Sequence, residues 1–531
     1  MQPINHDIKL ELLKLVKRAE KYSKDHLVNT FVDTGALATL LTTIDNQILY
    51  GRRGTGKTHA LAYLSNVADG QGDYVVDIDM SNIGSTGGIY GSFDIPVTER
   101  ATRLLVDTLI QIHENLLNKV MDDVNKELDP NLLPLLDELA DALSQVYVEG
   151  STEITQGYDR EYQDTTNDSI DGSVNKKGIE LNLSMQQTTN QRHNQSVSKM
   201  QSGVIRHRVH FGSVQSVMKK ILKKLNGKRL WILIDEWSEI PLELQPYLAD
   251  LLRRSIFPLS DITVKIAAIE QRSKFKSKST NRDYIGLEIG GDASAILNLD
   301  SIMVFNNDQE KAKDFFEQLL YTHIKALIES KTGEAFELNS EKVINEIFTQ
   351  QKAFEEFVKA AEGVPRDAIN IIGIAVLNSG DNKISIPNIR SAAKSWYNRA
   401  KERDIINAES KKLLRWIIEE VIAHRKARAF LLKTDTYDEL INDLFDARLI
   451  HVLKENVSAR DRVGERFVVY SIDYGCYVDL LQTANAPQGL FEAVVDDESE
   501  VYVEVPSDDY RSIRRAILNL EEFYESTSEQ E

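Results

Sequence analysis

One octapeptide constrains this chain more than any other stretch: Gly51-Arg52-Arg53-Gly54-Thr55-Gly56-Lys57-Thr58, which has the form G-x-x-x-x-G-K-T. It follows the apolar run Ile48-Leu49-Tyr50 and precedes a helix-forming run, residues 59–64. That context demands a strand–loop–helix unit whose loop wraps an anion. The glycines let the backbone turn so that several N–H groups converge on one phosphate, and the helix start adds the positive end of its dipole. Residues Gly51, Arg52, Arg53, Gly54, Thr55, Gly56, Lys57, Thr58 and His59 are therefore the expected phosphate-binding set. Within it, Lys57 reaches the β- and γ-phosphates and the Thr58 hydroxyl ligates Mg²⁺. A glycine-rich turn without a ligand would need no strand before it and no helix after it.

Length and composition narrow the setting. With 531 residues, 42% hydrophobic and 27% charged, the chain has room for two to four domains with proper cores. A single cysteine, Cys476, excludes a disulfide framework and fits a reducing cytoplasm. No apolar run reaches the eighteen or so residues of a membrane span, and the amphipathic N-terminus lacks a signal-peptide core. We therefore expect a cytoplasmic protein with no membrane partner. The net charge of −19 opposes non-specific nucleic-acid binding by the whole surface. Any such contact must be local, and residues 206–229 carry many Lys and Arg with no acid, whereas residues 496–509 are acidic.

The pattern along the chain is α/β. Helices over about 5–45 lead to a strand at 47–50, and a second strand is expected at 74–80 (YVVDIDM). Long helices follow, beginning at Pro96-Val97-Thr98-Glu99 and again over 132–146. Residues 150–210 are rich in Ser, Thr, Asn, Gln and Asp. They read as a long flexible insertion in which 179–183 and 204–211 have the alternation of a hairpin. Next comes Leu230-Trp231-Ile232-Leu233-Ile234-Asp235-Glu236, a buried parallel strand ending in two carboxylates at the sheet edge where ligands of such folds bind. Asp235 is the expected Mg²⁺ partner and Glu236 the group that polarises an attacking water.

The strand over 262–269 ends in Glu270-Gln271-Arg272, placing a polar side chain beside the γ-phosphate. Arg272 is preferred, because a guanidinium grips phosphate oxygens in a fork, with Gln271 the alternative. A fifth strand is expected at 301–305. Residues 309–400 read as helices and contain Gly363-Val364-Pro365-Arg366-Asp367, where Pro365 starts a helix and Arg366 projects from its first turn. A cation there opposes the helix dipole unless an anion lies nearby. Residues 409–482 read as helices at 409–424, 426–432 and 437–447, then strands at 450–454 and 466–472. This is winged-helix patterning, with Arg460 and Arg462 on the wing.

In order, these features resemble the AAA+ ATPases of the origin-recognition type, with prokaryotic initiators the nearest group. The resemblance spans roughly 25–480 apart from the 150–210 insertion. It implies ATP with Mg²⁺, a P-loop core over 1–305, a helical lid over 306–405, a winged helix over 406–482 and an appended acidic element over 483–531. It also implies that Arg366 is the second sensor. Two points depart from that pattern. Initiators carry Asn or Thr where this chain has Glu270-Gln271-Arg272, and an Arg there is more similar to STAND signalling ATPases. No arginine finger is secure, Arg282 being the positional candidate, with Arg253 and Arg254 behind it.

Three functions share ATP binding and differ in partner. One is an ATPase that binds double-stranded DNA through the winged helix and assembles with copies of itself. The second is a STAND-like switch acting in antiviral defence with a protein effector. The third is a transposition or chromosome-maintenance ATPase that loads a partner onto DNA.

Overall fold

The computed structural model describes residues 4–15, 21–33, 37–83, 95–122, 132–143, 146–157, 171–175, 178–185, 196–207, 209–278, 284–302, 309–405, 407–436, 438–458, 464–482 and 517–528. The fold is α/β, as expected. Its centre is a parallel sheet of strands β1 (Gln47–Tyr50), β2 (Tyr74–Asp79), β3 (Leu230–Asp235), β4 (Ile262–Ala268) and β5 (Ser294–Asn298), in the order β5-β1-β4-β3-β2. β1, β3 and β4 are almost wholly buried, because helices cover both faces of a parallel sheet. Register brings Asp79 opposite Asp235 and Tyr50 opposite both Ala268 and Asn298, so the carboxyl ends of the strands form one edge.

One face packs against helices Val97–Asp122, Leu132–Leu143, Phe211–Lys224 and Gln245–Leu251. The opposite face receives Leu61, Leu64 and Ala68 of helix α2 (Lys57–Gly70) against Val75, Trp231, Leu233 and Ala267. Lys265 interrupts the apolar run of β4 but is buried. Its Nζ reaches the strand end, donating to Thr43 O at 2.8 Å and Gln47 Oε1 at 3.1 Å, and burial lowers its pKa to about 8.

A second core is built from helices α3 (Gln309–Thr332), Gln351–Ala361, α4 (Pro365–Ser379) and Ile386–Trp396. Helix α1 (His6–Lys14), started by the Asn5 side chain accepting from Asp7 N, packs here rather than on the sheet. The same core continues into helix Ala408–Ile417, β6 (Ala429–Lys433), α5 (Glu439–Asp446), β7 (Ile450–Ser458) and β8 (Arg466–Ile472). These three strands form an antiparallel sheet in the order β6-β8-β7, and Leu518 N extends it by donating to Leu431 O at 2.9 Å. Among the described residues no helix is long and apolar enough to cross a membrane.

Three expectations are corrected. The fifth strand lies at Ser294–Asn298, not 301–305: the Asn298 side chain accepts from Asp300 N at 2.9 Å, ending the strand and starting the helix Leu299–Ile302. Residues 426–432 are not a helix. Lys426 adopts φ +52°, and pairing with β8 turns Ala429–Lys433 into a strand. In the insertion, strands Val146–Gly157, Asp171–Asn175, Gly178–Met185 and Ser196–His207 form an antiparallel sheet despite the polar composition. Residues 204–207 pair with 146–149, not with 179–183, and residues from Phe211 are helical. Backbone pairing needs no apolar core, which is why composition did not reveal it. The acidic 496–509 segment, Arg282, Arg460 and Arg462 lie outside the described residues.

Candidate functional site

The octapeptide links β1 to α2 at the carboxyl edge of the sheet. Gly51 N donates to Ala268 O at 3.1 Å, and a Cβ on Gly51 would stand 2.5 Å from Thr55 Oγ1. Gly54 and Gly56 adopt φ +92° and +101°, in the left-handed region that side chains disfavour. Thr55 Oγ1 and Lys57 Nζ both donate to Arg52 O, at 2.9 and 3.1 Å, closing the loop on itself. Lys57 is buried, which lowers its pKa, while the nearby carboxylates of Glu236, Asp235 and Asp300 oppose the shift.

Asp235 ends β3 beside α2. Burial raises its pKa, against hydrogen bonds from the Thr58 hydroxyl and Glu236 N–H. Glu236 follows at φ +52°, a strained position that turns the chain out of the strand; burial and then Asp235 raise its pKa. Thr58 with Asp235 is a hydroxyl–carboxylate pair suited to a hard cation. Among the described residues no cluster of three or more His, Cys, Asp or Glu could hold a metal. A cation at Thr58 and Asp235 would need phosphate oxygens to complete its shell. The donor set therefore fits Mg²⁺ held jointly with a nucleotide.

Helix α4 brings Arg366 to the loop. Arg366 N donates to Gly54 O at 3.2 Å, and a Cβ on Gly54 would lie 2.7 Å from Arg366 Cβ. Beside this contact lies an apolar pocket lined by Thr30, Phe31, Val32, Leu37, Thr55, Gly56, His59, Leu319, His323 and Pro365. Sequence reasoning missed this pocket. Its walls come from the chain before β1, from α2, from α3 and from α4, which share no motif.

Several expected side chains point elsewhere. Arg52 is a correction to the phosphate-binding set. Its N–H donates to Asp300 Oδ2 at 2.9 Å, and its buried guanidinium reaches Asp300 Oδ1 (2.7 Å), Ile450 O (2.9 Å), Phe445 O (3.3 Å) and His451 Nδ1 (3.0 Å). Arg52 therefore joins the loop to α5 and β7 and turns neither its N–H nor its guanidinium toward a phosphate. Arg53 is exposed and pairs with Glu239 at 2.5 Å. His59 bonds Leu27 O through Nε2 and lines the apolar pocket that Gly56 also borders. Arg272 is paired with Asp446 of α5, whereas Gln271 Oε1 is buried and accepts no hydrogen bond. Burial, with Glu455 and Asp300 nearby, pushes Glu270 up to about 7. Arg253 and Arg254 both pair with Asp250.

Behind Arg52 runs a buried chain of charges. Because Arg52 donates to His451 Nδ1, the neutral ring carries its proton on Nε2 and donates to Asp473 at 3.1 Å. Lys401 Nζ bridges Asp473 (2.5 Å) and Asp367 (2.9 Å), and Arg448 also contacts Asp367 at 3.2 Å. Lys401 holds the Asp473 and Asp367 carboxyls below their usual range against the effect of burial, which alone would raise them. The chain thus ends one residue from Arg366, on the helix that touches Gly54.

Residues 15–68 match the model of the ORC-CDC6-like family. The matched segment contains β1, the whole octapeptide and nearly all of α2, and the resemblance read from the sequence is borne out there. It ends well before Asp235. A solved structure of the Aeropyrum pernix ORC1 protein in complex with DNA aligns over 89% of this chain and 96% of that one, at 13% identity and a TM-score of 0.28. A score that low carries no argument about this chain. No curated protein matches.

Proposed function

We propose that this chain is an ATP-binding switch of the AAA+ kind that hydrolyses ATP, with residues 306–405 as its lid and residues 406–482 as a winged helix. The observation that carries the reading is the convergence on one loop of Lys57, the Thr58–Asp235 pair, Glu236 and the lid residue Arg366. Lys57 and the loop N–H groups neutralise the β- and γ-phosphates. Bound Mg²⁺, held by Thr58 and Asp235, would supply charge neutralisation of the phosphate oxygens. Glu236, kept from full acidity by burial, orients and deprotonates the attacking water. Arg366 brings a lid charge to the same phosphates, which makes lid position depend on the nucleotide. The apolar pocket between Phe31 and Pro365 receives the base.

The experiment pairs two variants. Lys57→Ala should abolish ATP retention, whereas Glu236→Gln should retain ATP and slow hydrolysis by about a hundredfold or more. Parent-like affinity and turnover in both would overturn the reading.

For the partner we propose double-stranded DNA, engaged through the basic residues of 408–428, including Lys411, Lys412 and Arg415, by copies of the chain assembled on ATP. ATP-dependent duplex binding that weakens steeply with salt is the expected result; binding indifferent to ATP would refute it. One observation favours the STAND-like alternative in antiviral defence with a protein effector. Helix α5 carries Glu439, Asp443 and Asp446 and no Lys or Arg, and it is docked on the P-loop side through Arg272 and Arg52. A helix so placed is released by a nucleotide switch rather than offered to DNA in the docked form.

A further inference from the structure

The base pocket carries two histidines whose proton positions are fixed by the fold. His323, on α3, is 5% exposed and its Nδ1 lies 2.9 Å from Leu319 O. His59, on α2, places Nε2 2.5 Å from Leu27 O. A carbonyl oxygen only accepts, so Nδ1 of His323 and Nε2 of His59 each carry the hydrogen. In the neutral rings the other nitrogens, His323 Nε2 and His59 Nδ1, are then lone-pair acceptors. Among the described residues no group hydrogen-bonds to either. The two rings meet edge to face, 6.4 Å between centroids, and both line the pocket.

We propose that His323 Nε2, backed by His59 Nδ1, is the specificity determinant of this pocket, accepting a hydrogen bond from the exocyclic amino group of adenine. The inference rests on the nucleotide reading above and adds the residue that selects the base. The remaining side chains are apolar (Phe31, Val32, Leu37, Leu319) apart from Thr30 and Thr55, whose hydroxyls donate to His26 O and Arg52 O, so orientation of a base falls to the ring nitrogens. Adenine presents an N6–H to an acceptor. Guanine, seated the same way, presents O6, and two lone pairs face each other with neither satisfied. Both imidazoles stay neutral near pH 7. Burial lowers His323 to about 3, with His59 and His26 adding repulsion, and burial also lowers His59. A protonated ring would donate instead and invert the selection.

The test is competition of ATP, GTP and purine riboside 5′-triphosphate, which lacks the 6-amino group, against a ribose-labelled fluorescent ATP on the full chain. The parent should prefer ATP to purine riboside triphosphate by about tenfold and to GTP by more, since one net hydrogen bond to a buried acceptor is worth roughly that factor. His323→Phe keeps a ring and removes the lone pair, so the ATP to purine riboside ratio should fall to about one. His323→Gln retains an acceptor and should restore most of it, separating recognition from packing. Equal affinity of the parent for ATP and purine riboside triphosphate would overturn the specificity proposal while leaving the nucleotide reading standing. Failure to bind any of the three would overturn both.

Discussion

Replacing Arg52 by alanine separates two functions that one octapeptide combines. The guanidinium is 1% exposed, and its removal deprives Asp300 of its hydrogen-bonded counter-charge, leaving the Arg52 N–H in place. It also strips a donor from Ile450 O, Phe445 O and His451 Nδ1 and the cation from the Phe445 ring, 4.4 Å away. Breaking one partner of a buried ion pair costs about 3–5 kcal/mol, and each stranded carbonyl about 1 kcal/mol more if water cannot enter. These contributions overlap, so we expect a loss of about 4 kcal/mol. It should be felt where α5 and β7 meet the P-loop rather than in the sheet. Arg52→Lys keeps the charge but not the fork, and should lose about half as much. Hydrogen exchange over 439–458 is the assay, read beside ATP affinity. Protection there should fall by two to three orders of magnitude in Arg52→Ala, since about 1.4 kcal/mol is a factor of ten. ATP affinity should change far less than in Lys57→Ala. An Arg52→Ala chain that loses ATP as completely as Lys57→Ala, with exchange over 439–458 unchanged, would refute the assignment of Arg52 to the interface.

Three further perturbations test other parts of the structure. Gly54→Ala forces a side chain onto φ +92° and against Arg366 Cβ, a strain of about 1–3 kcal/mol. It should weaken ATP binding and loosen α4, seen as faster proteolysis of the helical region; unchanged ATP affinity would count against the Gly54–Arg366 contact. Glu362 is 4% exposed, and burial, with Asp473 nearby, raises it to about 8. The folded state therefore holds that proton between the unfolded carboxyl range and pH 8, where the unfolded chain has lost it, so stability falls as pH rises through this window. Glu362→Gln should melt like the parent near pH 4 and above it at pH 8; identical melting at both would show that Glu362 does not titrate this way. Finally, helices Leu132–Leu143 and Phe211–Lys224 pack on each other, with Glu138 and Lys220 2.5 Å apart, and Val146 pairs with His207 where the strands of the insertion leave these two helices. Replacing 146–207 by a short Gly-Ser turn should leave melting temperature and ATP binding intact, and loss of folding would show that the insertion supports the sheet.

What could be read from the sequence follows the range of the interactions involved. The P-loop, the Asp235–Glu236 strand end and the Pro365 helix start are local patterns, in which the residues that make the geometry adjoin those that use it. β5 was misplaced because it is an edge strand with Ile296 75% exposed, while the following residues, 302–305, are the more apolar run. Periodicity finds buried faces, and an edge strand has little of one. Arg52 looked like a loop cation because its partners lie 248 residues and almost 400 residues downstream. His323 carried no signal at all, since an isolated histidine in an amphipathic helix gains meaning only from the walls that close around it.

The placement of α1 has a mechanical consequence. Ile4, Ile8 and Leu12 are buried against the helical core, and Ile4 N donates to Asp381 O at 3.0 Å. The described chain therefore runs from that core to the sheet before β1 and back to it after residue 302. Two bodies joined at a single point can swivel in any direction. Joined at two, they turn easily only about the line between the joints, and other rotations strain one connection or the other. A nucleotide seated between Gly54 and Arg366 would then act on a door rather than a ball joint, so that a small displacement at the phosphates has one direction in which to travel.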